Sequence, residues 1–561
     1  MHLTNSKINH RAIILKCMRD ILKILKQKKL QFIFLSYILL LLPFLSPLAE
    51  NITFWDKLAI FVVCGLLFTA ILILSTFISS KTEKIIYAII LTVAIIPGAI
   101  FLSYLLFANV LLEQNSVTSL FETNQEESKE FVAHYLSIWI VVGTLIYTAI
   151  PIVMICMMKS FKPLKIKNHK KVFFVCIAIV IAITGVNRLS RSVYFINFYK
   201  TFINYKLRVS NEIKDIQDRQ TRPFDVQNAY QDSIPQSIVL VIGESETRHH
   251  MSLYGYPRKT TPLLDSYPDS VLYAYNDVIS PQVHTIPVMR SLLSMSELEH
   301  PEYFTEKPSM FELFNRAGYE TYLLSNQEFS DKFNSSYDIL LSLANNKYNL
   351  APLKQHDDIV LGKFDKIIND KSHKKKLIII HLIGNHMAYK FRYPKEYIVF
   401  NHNKDNMVAD MPFGNEKSKT VIDQYDNSVL YNDFVVDSII KILAKQEGEK
   451  SAMLYLSDHG EELYDYRDFA GHAYEKVSPP MCEIPFILWT SNRYRQSRRD
   501  LIIDEDRPYS SEDFIYSVSD IAGLKYDGYD DERSLFSSAF KPRIRYVGEK
   551  EYENIKKKYK E

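Results

Sequence analysis

Apolar positions crowd into the first third of the chain in unbroken runs. Residues 30–49, 58–80 and 85–112 contain no Asp, Glu, Lys or Arg, and each run is long enough to cross about 30 Å of hydrocarbon as a helix. A fourth run covers residues 135–158. A fifth, residues 172–186, is shorter than the roughly 20 residues of an ordinary span, and the residues from Asn187 onward extend it into the interface. The pattern predicts five transmembrane helices. Beyond residue 233 the apolar runs shrink to residues 237–242, 321–324, 377–383, 453–456 and 485–489, separated by helix-like stretches. That alternation predicts an α/β domain with a mostly parallel central sheet.

Charge orients the spans. Lys7, Arg11, Lys16, Arg19, Lys23, Lys26, Lys28 and Lys29 precede the first, with Asp20 as the only acid among them, which places that end in the cytoplasm. Lys81 and Lys84, and later Lys159, Lys162, Lys165, Lys167, Lys170 and Lys171, fall on the same side. The connection after span three carries Glu113, Glu122, Glu126, Glu127 and Glu130 against Lys129, as suits the opposite face. Five spans put everything after about residue 187 outside the cytoplasm. The first apolar run is long, lacks a small-residue cleavage pattern and is followed by more spans, so no cleaved signal peptide is expected. The expected division is a basic cytoplasmic segment (1–29), a five-helix membrane domain (30–187), an interfacial helix and linker (188–233) and a soluble domain (234–561). The interfacial helix rests on Tyr194, Phe195, Phe198, Tyr199, Phe202 and Tyr205 interleaved with Arg188, Arg191 and Lys200, and the polar residues 206–233 read as the linker. A formal net charge of +3 gives no reason to expect a nucleic acid partner.

The candidate chemistry sits at the ends of the short apolar runs, where an open α/β sheet builds its ligand crevice. Ser457-Asp458-His459-Gly460-Glu461 follows residues 453–456. Its Asp-His pair offers an oxygen and a nitrogen to a metal, or equally forms a turn that caps a helix starting at Glu461. Glu244 follows the first run, Gly384-Asn385-His386 the third, and Gly471-His472 lies in a nearby glycine turn. Glu244 alone suits a helix N-terminus and either histidine alone suits a structural role. Their recurrence at strand ends favours one shared site. Cys482 is the only cysteine of the soluble domain, because Cys17, Cys64, Cys156 and Cys176 lie in or beside the membrane part. No disulfide forms inside that domain, and a metal would be held by Asp, Glu, His or hydroxyl groups.

Val239-Leu240-Val241-Ile242-Gly243-Glu244-Ser245, Ser252-Leu253-Tyr254-Gly255-Tyr256-Pro257, Thr260-Thr261-Pro262, residues 280–285, Ser325-Asn326-Gln327, Gly384-Asn385-His386, the block at 457–461 and Gly471-His472 together resemble the membrane-bound phosphoethanolamine transferases. These have an alkaline-phosphatase-like (sulfatase-like) catalytic domain, and the likeness covers essentially the whole chain, five spans included. It implies a zinc ion bound by Glu244, Asp458 and His459, with Thr285 as nucleophile and fourth ligand. Thr285 read by itself is an ordinary loop residue. The resemblance gives His386 and His472 the tasks of steadying phosphoryl oxygens and of proton transfer or binding a second ion, with Mn2+ as the other admissible metal. Asn326, Lys332 and Asn385 correspond to substrate-contacting positions.

The implied reaction moves phosphoethanolamine from phosphatidylethanolamine through a phosphothreonine-type intermediate to lipopolysaccharide, at a core sugar or a lipid A phosphate, and releases diacylglycerol. It implies a monomer in the inner membrane with its catalytic domain in the periplasm. The chain departs from many relatives in lacking disulfides and in carrying Ser245 after the metal-binding Glu, and Ile286-Pro287 after Thr285 favours the core-sugar type. Phosphoglycerol transfer to an envelope glycan is the rival reading, and a non-catalytic membrane sensor, expected to have lost a metal ligand, is the third. A true sulfatase is disfavoured, because Thr285 cannot become formylglycine and Arg290 stands one position late for the sulfatase motif.

Overall fold

The computed structural model describes residues 28–122, 129, 137–158, 169–228, 234, 236–329, 335–404, 413 and 415–560. The chain forms two compact units, residues 1–121 with 131–205, and 122–130 with 206–561.

The first unit is helical: α1 (Lys29–Leu45), α2 (Phe54–Leu74), α3 (Ser80–Ala108), α4 (Ile138–Met157) and α5 (His169–Gly185). Helices α2, α3 and α4 begin where Thr53, Ser79 and Ser137 accept hydrogen bonds from Asp56 N, Thr82 N and Ile140 N, satisfying amides that a helix start leaves open. Four stretches, Lys29–Leu48, Phe54–Phe77, Ser80–Ala108 and Ile138–Met157, are long and apolar enough to cross a membrane. The fifth predicted span corresponds to α5, whose 17 residues begin with His169, Lys170 and Lys171 and fall short of that length. The predicted linker is not a loop at its start. Helix α6 runs unbroken from Tyr194 to Gln220, because residues 206–220 contain neither Pro nor Gly and set Val209, Ile213 and Ile216 on one stripe.

The second unit is built on a seven-stranded sheet. Its strands are β1 (Gln236–Gly243), β2 (Leu272–Ala274), β3 (Glu320–Ser325), β4 (Asn346–Asn349), β5 (Lys375–His381), β6 (Lys450–Ser457) and β7 (Phe486–Thr490), in the order β2-β7-β6-β1-β5-β3-β4. β6, β1, β5, β3 and β4 are mutually parallel, and β7 and β2 join antiparallel at one edge. The sheet is therefore mixed, and the run 485–489 departs from the parallel expectation. No long crossover helix stands between β6 and β7, so the chain re-enters the sheet from the end it left. β1 is buried along its whole length, as a central parallel strand covered on both faces must be. Ile238, Leu240 and Ile242 face one layer together with α7 (Thr285–Leu292). Val239 and Val241 face the other, against α8 (Ile359–Asn369) and α9 (Glu416–Ala444).

One buried ionic network braces α9 against the loop after β1. Arg258 binds Asp426 and Asp423 at 2.7 Å each, and Asp426 also meets His250 Nδ1 at 2.7 Å and the Tyr256 hydroxyl at 3.0 Å. Arg258→Ala would remove the cation shared by the two carboxylates, leaving Asp426 to His250 and Asp423 to His402, and is expected to cost about 3 kcal/mol, read as a lowered thermal midpoint. Burial alone would lower the pKa of His250, but Asp426 and Asp465 raise it to about 10. Its contribution is present in full below the ordinary histidine pKa and is lost as pH rises toward 10, so His250→Gln should flatten the decline of stability over that interval.

Candidate active site

Register brings the site together. Gly243 on β1 lies opposite Ser457 on β6, and Ile242 opposite His381 on β5, so the segments leaving three adjacent strands share one crevice. Glu244 leaves β1, Asp458 and His459 leave β6, and Gly384-Asn385-His386 leaves β5. Ser245 holds a positive φ of 56°, a conformation that costs a non-glycine residue energy and that functional sites tend to retain. From it the Ser245 hydroxyl donates to Glu244 Oε1 at 2.8 Å and its amide donates to Asp458 Oδ1 at 3.1 Å. Gly384 is required on two counts: its φ is +49°, and a Cβ there would lie 2.7 Å from the Glu244 amide nitrogen. Gly384→Ala should destabilise the domain by at least about 1–3 kcal/mol and displace Glu244, as a thermal melt and a metal-content assay would report.

Glu244, Asp458 and His459 are almost wholly buried, and their ligand atoms lie within 4.8 Å of one another. His459 Nδ1 meets the Gly460 carbonyl at 2.9 Å, while Nε2 faces Glu244 Oε1 at 3.3 Å and Asp458 Oδ2 at 3.4 Å. Neither His459 Nε2 nor Asp458 Oδ2 makes a hydrogen bond among the described residues. Buried atoms arranged in this way need a positive charge between them, either a proton or a metal ion, and two oxygens with one imidazole nitrogen suit zinc. Thr285, at the start of α7, donates from Oγ1 to Glu244 Oε2 at 3.1 Å. Gln327 Nε2 reaches the same oxygen at 2.9 Å.

Electrostatics reflect the crowding. Burial pushes Glu244 up, but the adjacent His459 ring and its charge, with help from His386 and Gln327, hold it well below the usual carboxylate range. Asp458 is raised to about 8 by burial and by the charge of Glu244. His459 resists burial and rises to about 10 beside the two carboxylates. His472 Nδ1 is fixed by Glu461 Oε2 at 2.7 Å, and its ring lies 4.2 Å from that of His459. Burial and the charge of His459 keep His472 well below its ordinary pKa.

Residues 236–524 match the sulfatase family. Over 463 residues the chain is 31% identical to phosphoethanolamine transferase EptC of Escherichia coli (strain K12), covering 78% of this chain and 79% of the relative. It is 30% identical over 468 residues to phosphoethanolamine transferase CptA of Salmonella typhimurium, with the same coverage. The chain belongs to the phosphoethanolamine transferases of the sulfatase family. It is therefore an enzyme of the transferase class. The crystal structure of the C-terminal periplasmic domain of EptC from Escherichia coli, in complex with Zn, covers 58% of this transferase and 93% of its own length, with a TM-score of 0.55 and 36% identity. The integral membrane phosphoethanolamine transferase EptA of Neisseria meningitidis shares the fold over 92% of this chain and 99% of its own, with a TM-score of 0.68 and 20% identity.

The transferase assigns some predicted residues differently. Asn326 directs its amide to Asp357 at 2.9 Å and to the Gln355 carbonyl at 3.1 Å, and Asp357 accepts the amides of Ile383 and Gly384. Asn326 thus braces the loop after β5, where substrate contact was expected. Asn385 is fully buried, and its backbone N–H donates to the Glu244 carbonyl at 2.9 Å, while its side-chain amide makes no hydrogen bond among the described residues. Lys332 lies outside the described residues. No helix begins at Glu461. Residues Glu462–Leu463 instead pair antiparallel with Ala470–Gly471, which returns His472 to the site and excludes the capped-helix reading of the Asp458-His459 turn. Sequence reasoning gave no role to Gln327 or Glu461. The position of Gln327 just past β3 was the available signal, since acids and amides after the other strands converge.

Proposed function

We propose that this enzyme transfers phosphoethanolamine from phosphatidylethanolamine to a lipopolysaccharide acceptor, a core-sugar hydroxyl or a lipid A phosphate. Thr285 is the nucleophile. The observation that carries the reading is its hydroxyl, placed 3.1 Å from Glu244 Oε2 at a helix start beside three converging ligand atoms. Glu244, Asp458 and His459 would hold a zinc ion, in line with the zinc complex of the EptC relative. Bound there, zinc supplies positive charge that lowers the pKa of a nearby hydroxyl and offsets charge on a phosphoryl group.

The chain's own residues account for the remaining steps. Glu244 Oε2, held in place by Gln327, receives the hydrogen bond of Thr285 and orients its oxygen for in-line attack. A bond forms between Thr285 Oγ1 and phosphorus while the bond from phosphorus to the diacylglycerol oxygen breaks, and that oxygen takes up the proton that Thr285 gives up, so that diacylglycerol leaves neutral. His386 would donate a hydrogen bond to a phosphoryl oxygen, neutral His472, held through Nδ1 by Glu461, would take up and return a proton at Nε2, and the α7 N-terminus favours the negative charge of the phosphoryl group. The acceptor oxygen then attacks phosphorus, the bond to Thr285 Oγ1 breaks, and Thr285 regains its proton.

Helices α1–α5 would form a multi-pass anchor in the inner membrane, with α5 completing its span through neighbouring residues and the catalytic unit in the periplasm. The lysines before α1, at the start of α3 and before and at the start of α5 support that orientation. Mass spectrometry of lipid A and core oligosaccharide from cells with and without the protein tests the reading. A phosphoethanolamine increment, about 123 Da, is expected on one of them; identical spectra from both strains would reject it.

A further inference from the structure

The reaction uses nothing beyond residue 483, yet the last residues of the chain are attached to the loop that delivers the nucleophile. A hairpin of Tyr546–Val547 and Lys550–Glu551 leads into α10 (Tyr552–Lys560). Gly548 N donates to the Pro281 carbonyl at 2.8 Å. Tyr552 and Ile555 are buried in one apolar cluster with Ile279 and Val283, which precede Thr285, and with Tyr474, which follows His472; Tyr559 packs at its edge. The spacing 552, 555, 559 makes α10 a short amphipathic helix with its apolar side committed to this cluster.

Its other side is cationic. Lys557 and Lys558 are exposed and Lys556 is partly so. Among the described residues no carboxylate lies within ion-pair distance of these three, and Lys556 and Lys558 rest on the rings of Tyr552 and Tyr559. Of the acids nearby, Glu553 binds Arg545 at 2.6 Å, Glu551 accepts from Asn554 at 3.2 Å, and Glu549 is exposed in the hairpin turn ahead of α10. The neighbouring loop extends the surface. Tyr466 packs against Tyr559 at 5.1 Å, Arg467 lies over the same ring, and Lys476 lies over Phe469; the acids there are Asp465, which faces buried His250 at 3.4 Å, Asp468 and Glu475. Lysine and arginine heads carried above tyrosine and phenylalanine rings suit a surface that is apolar below and anionic at the level of the headgroups.

We propose that α10 and the loop 464–469 form a docking surface for an anionic, phosphate-bearing lipid surface, adjoining the nucleophile loop. The surface recognises phosphate charge, so it adds a contact beyond the reacting headgroup, and it does not depend on which headgroup is transferred. Its place on the cluster shared with Val283 and Tyr474 would bring lipid phosphates to the border of the site that consumes them.

The test uses the full chain in nanodiscs of phosphatidylcholine alone or with about 30 mol% phosphatidylglycerol, with lysines acetylated and quantified by mass spectrometry. Lys557 and Lys558 should react about fivefold more slowly in the anionic discs, and about 0.5 M salt should remove the protection by screening. Lys259, 77% exposed on a different loop, should react alike in both. Equal rates at Lys557 and Lys558 in the two discs, or protection that persists in salt, would overturn the proposal. Labelling reads position and not turnover. An inactive chain with protected lysines would therefore refute transfer alone, and an active chain with unprotected lysines would refute docking alone.

Discussion

Thr285→Ala should abolish transfer and the covalent intermediate together. The hydroxyl that is lost is the only one among the described residues that donates to Glu244 Oε2, and the Ser245 hydroxyl is engaged with Glu244 Oε1 at 2.8 Å. Loss of a nucleophile lowers turnover by about 10³-fold or more. Thr285 is half-buried and its methyl group is small, so the fold should change by no more than about 1 kcal/mol. Thr285→Ser keeps the oxygen and should retain measurable turnover. Mass spectrometry of the peptide carrying residue 285, after quenching with donor lipid present, should find a phosphoethanolamine adduct in the parent and serine forms and none in the alanine form. Transfer by a correctly folded alanine variant would remove Thr285 from the mechanism.

Asp458→Asn should separate metal binding from stability. Asp458 Oδ1 accepts the amides of Ser245 and His459 at 3.1 and 2.7 Å, and the asparagine oxygen can keep both bonds. What disappears is a negative charge facing Glu244. Zinc content and transfer should fall together by about 10²-fold or more, while above about pH 8, where Asp458 of the parent is ionised beside Glu244, the metal-free variant should unfold no earlier than its parent, since two buried like charges no longer compete. The pH dependence carries a definite sign. Burial and Glu244 raise Asp458 in the folded protein to about 8, so its contribution to metal-free stability is complete below the ordinary carboxylate pKa and is lost as pH rises from about 4 through about 8. Asp458→Asn should flatten that slope. It follows that metal uptake near pH 7 releases protons from the site, which calorimetry in buffers of different ionisation enthalpy would measure. Unchanged zinc content in the asparagine form would place the metal elsewhere.

The parts of the fold that could be read from sequence were those that local composition decides. Charge-free runs announced α1, α2 and α3, and a short Val/Ile/Leu run bounded by polar residues announced β1. Helix α5 was harder because His169, Lys170 and Lys171 stand at its start, and α6 outran the predicted linker because polarity alone does not break a helix that lacks Pro and Gly. The direction of β7 depended on how residues 458–485 return, which is a tertiary fact. At the site, Glu244, Asp458 and His459 were legible from their places after strands. Asn326 and Gln327 are adjacent, yet one braces Asp357 and the other reaches Glu244. Adjacent residues leaving a strand point opposite ways, and only the packed loop after β5 determines which of the two faces the crevice.

The register of β1 against β6 also sets an order of events. Ser245 and Asp458, joined by a hydrogen bond, stand 213 residues apart in the chain, and the strands that present Glu244 and Asp458 cannot pair until residue 457 has been made. Closing so long a loop is slow compared with local structure. A growing chain that lacks β6 therefore cannot form the proposed metal site, and zinc bound there would record the pairing of the central strands: a chain that carried the ion would already have assembled the centre of its sheet.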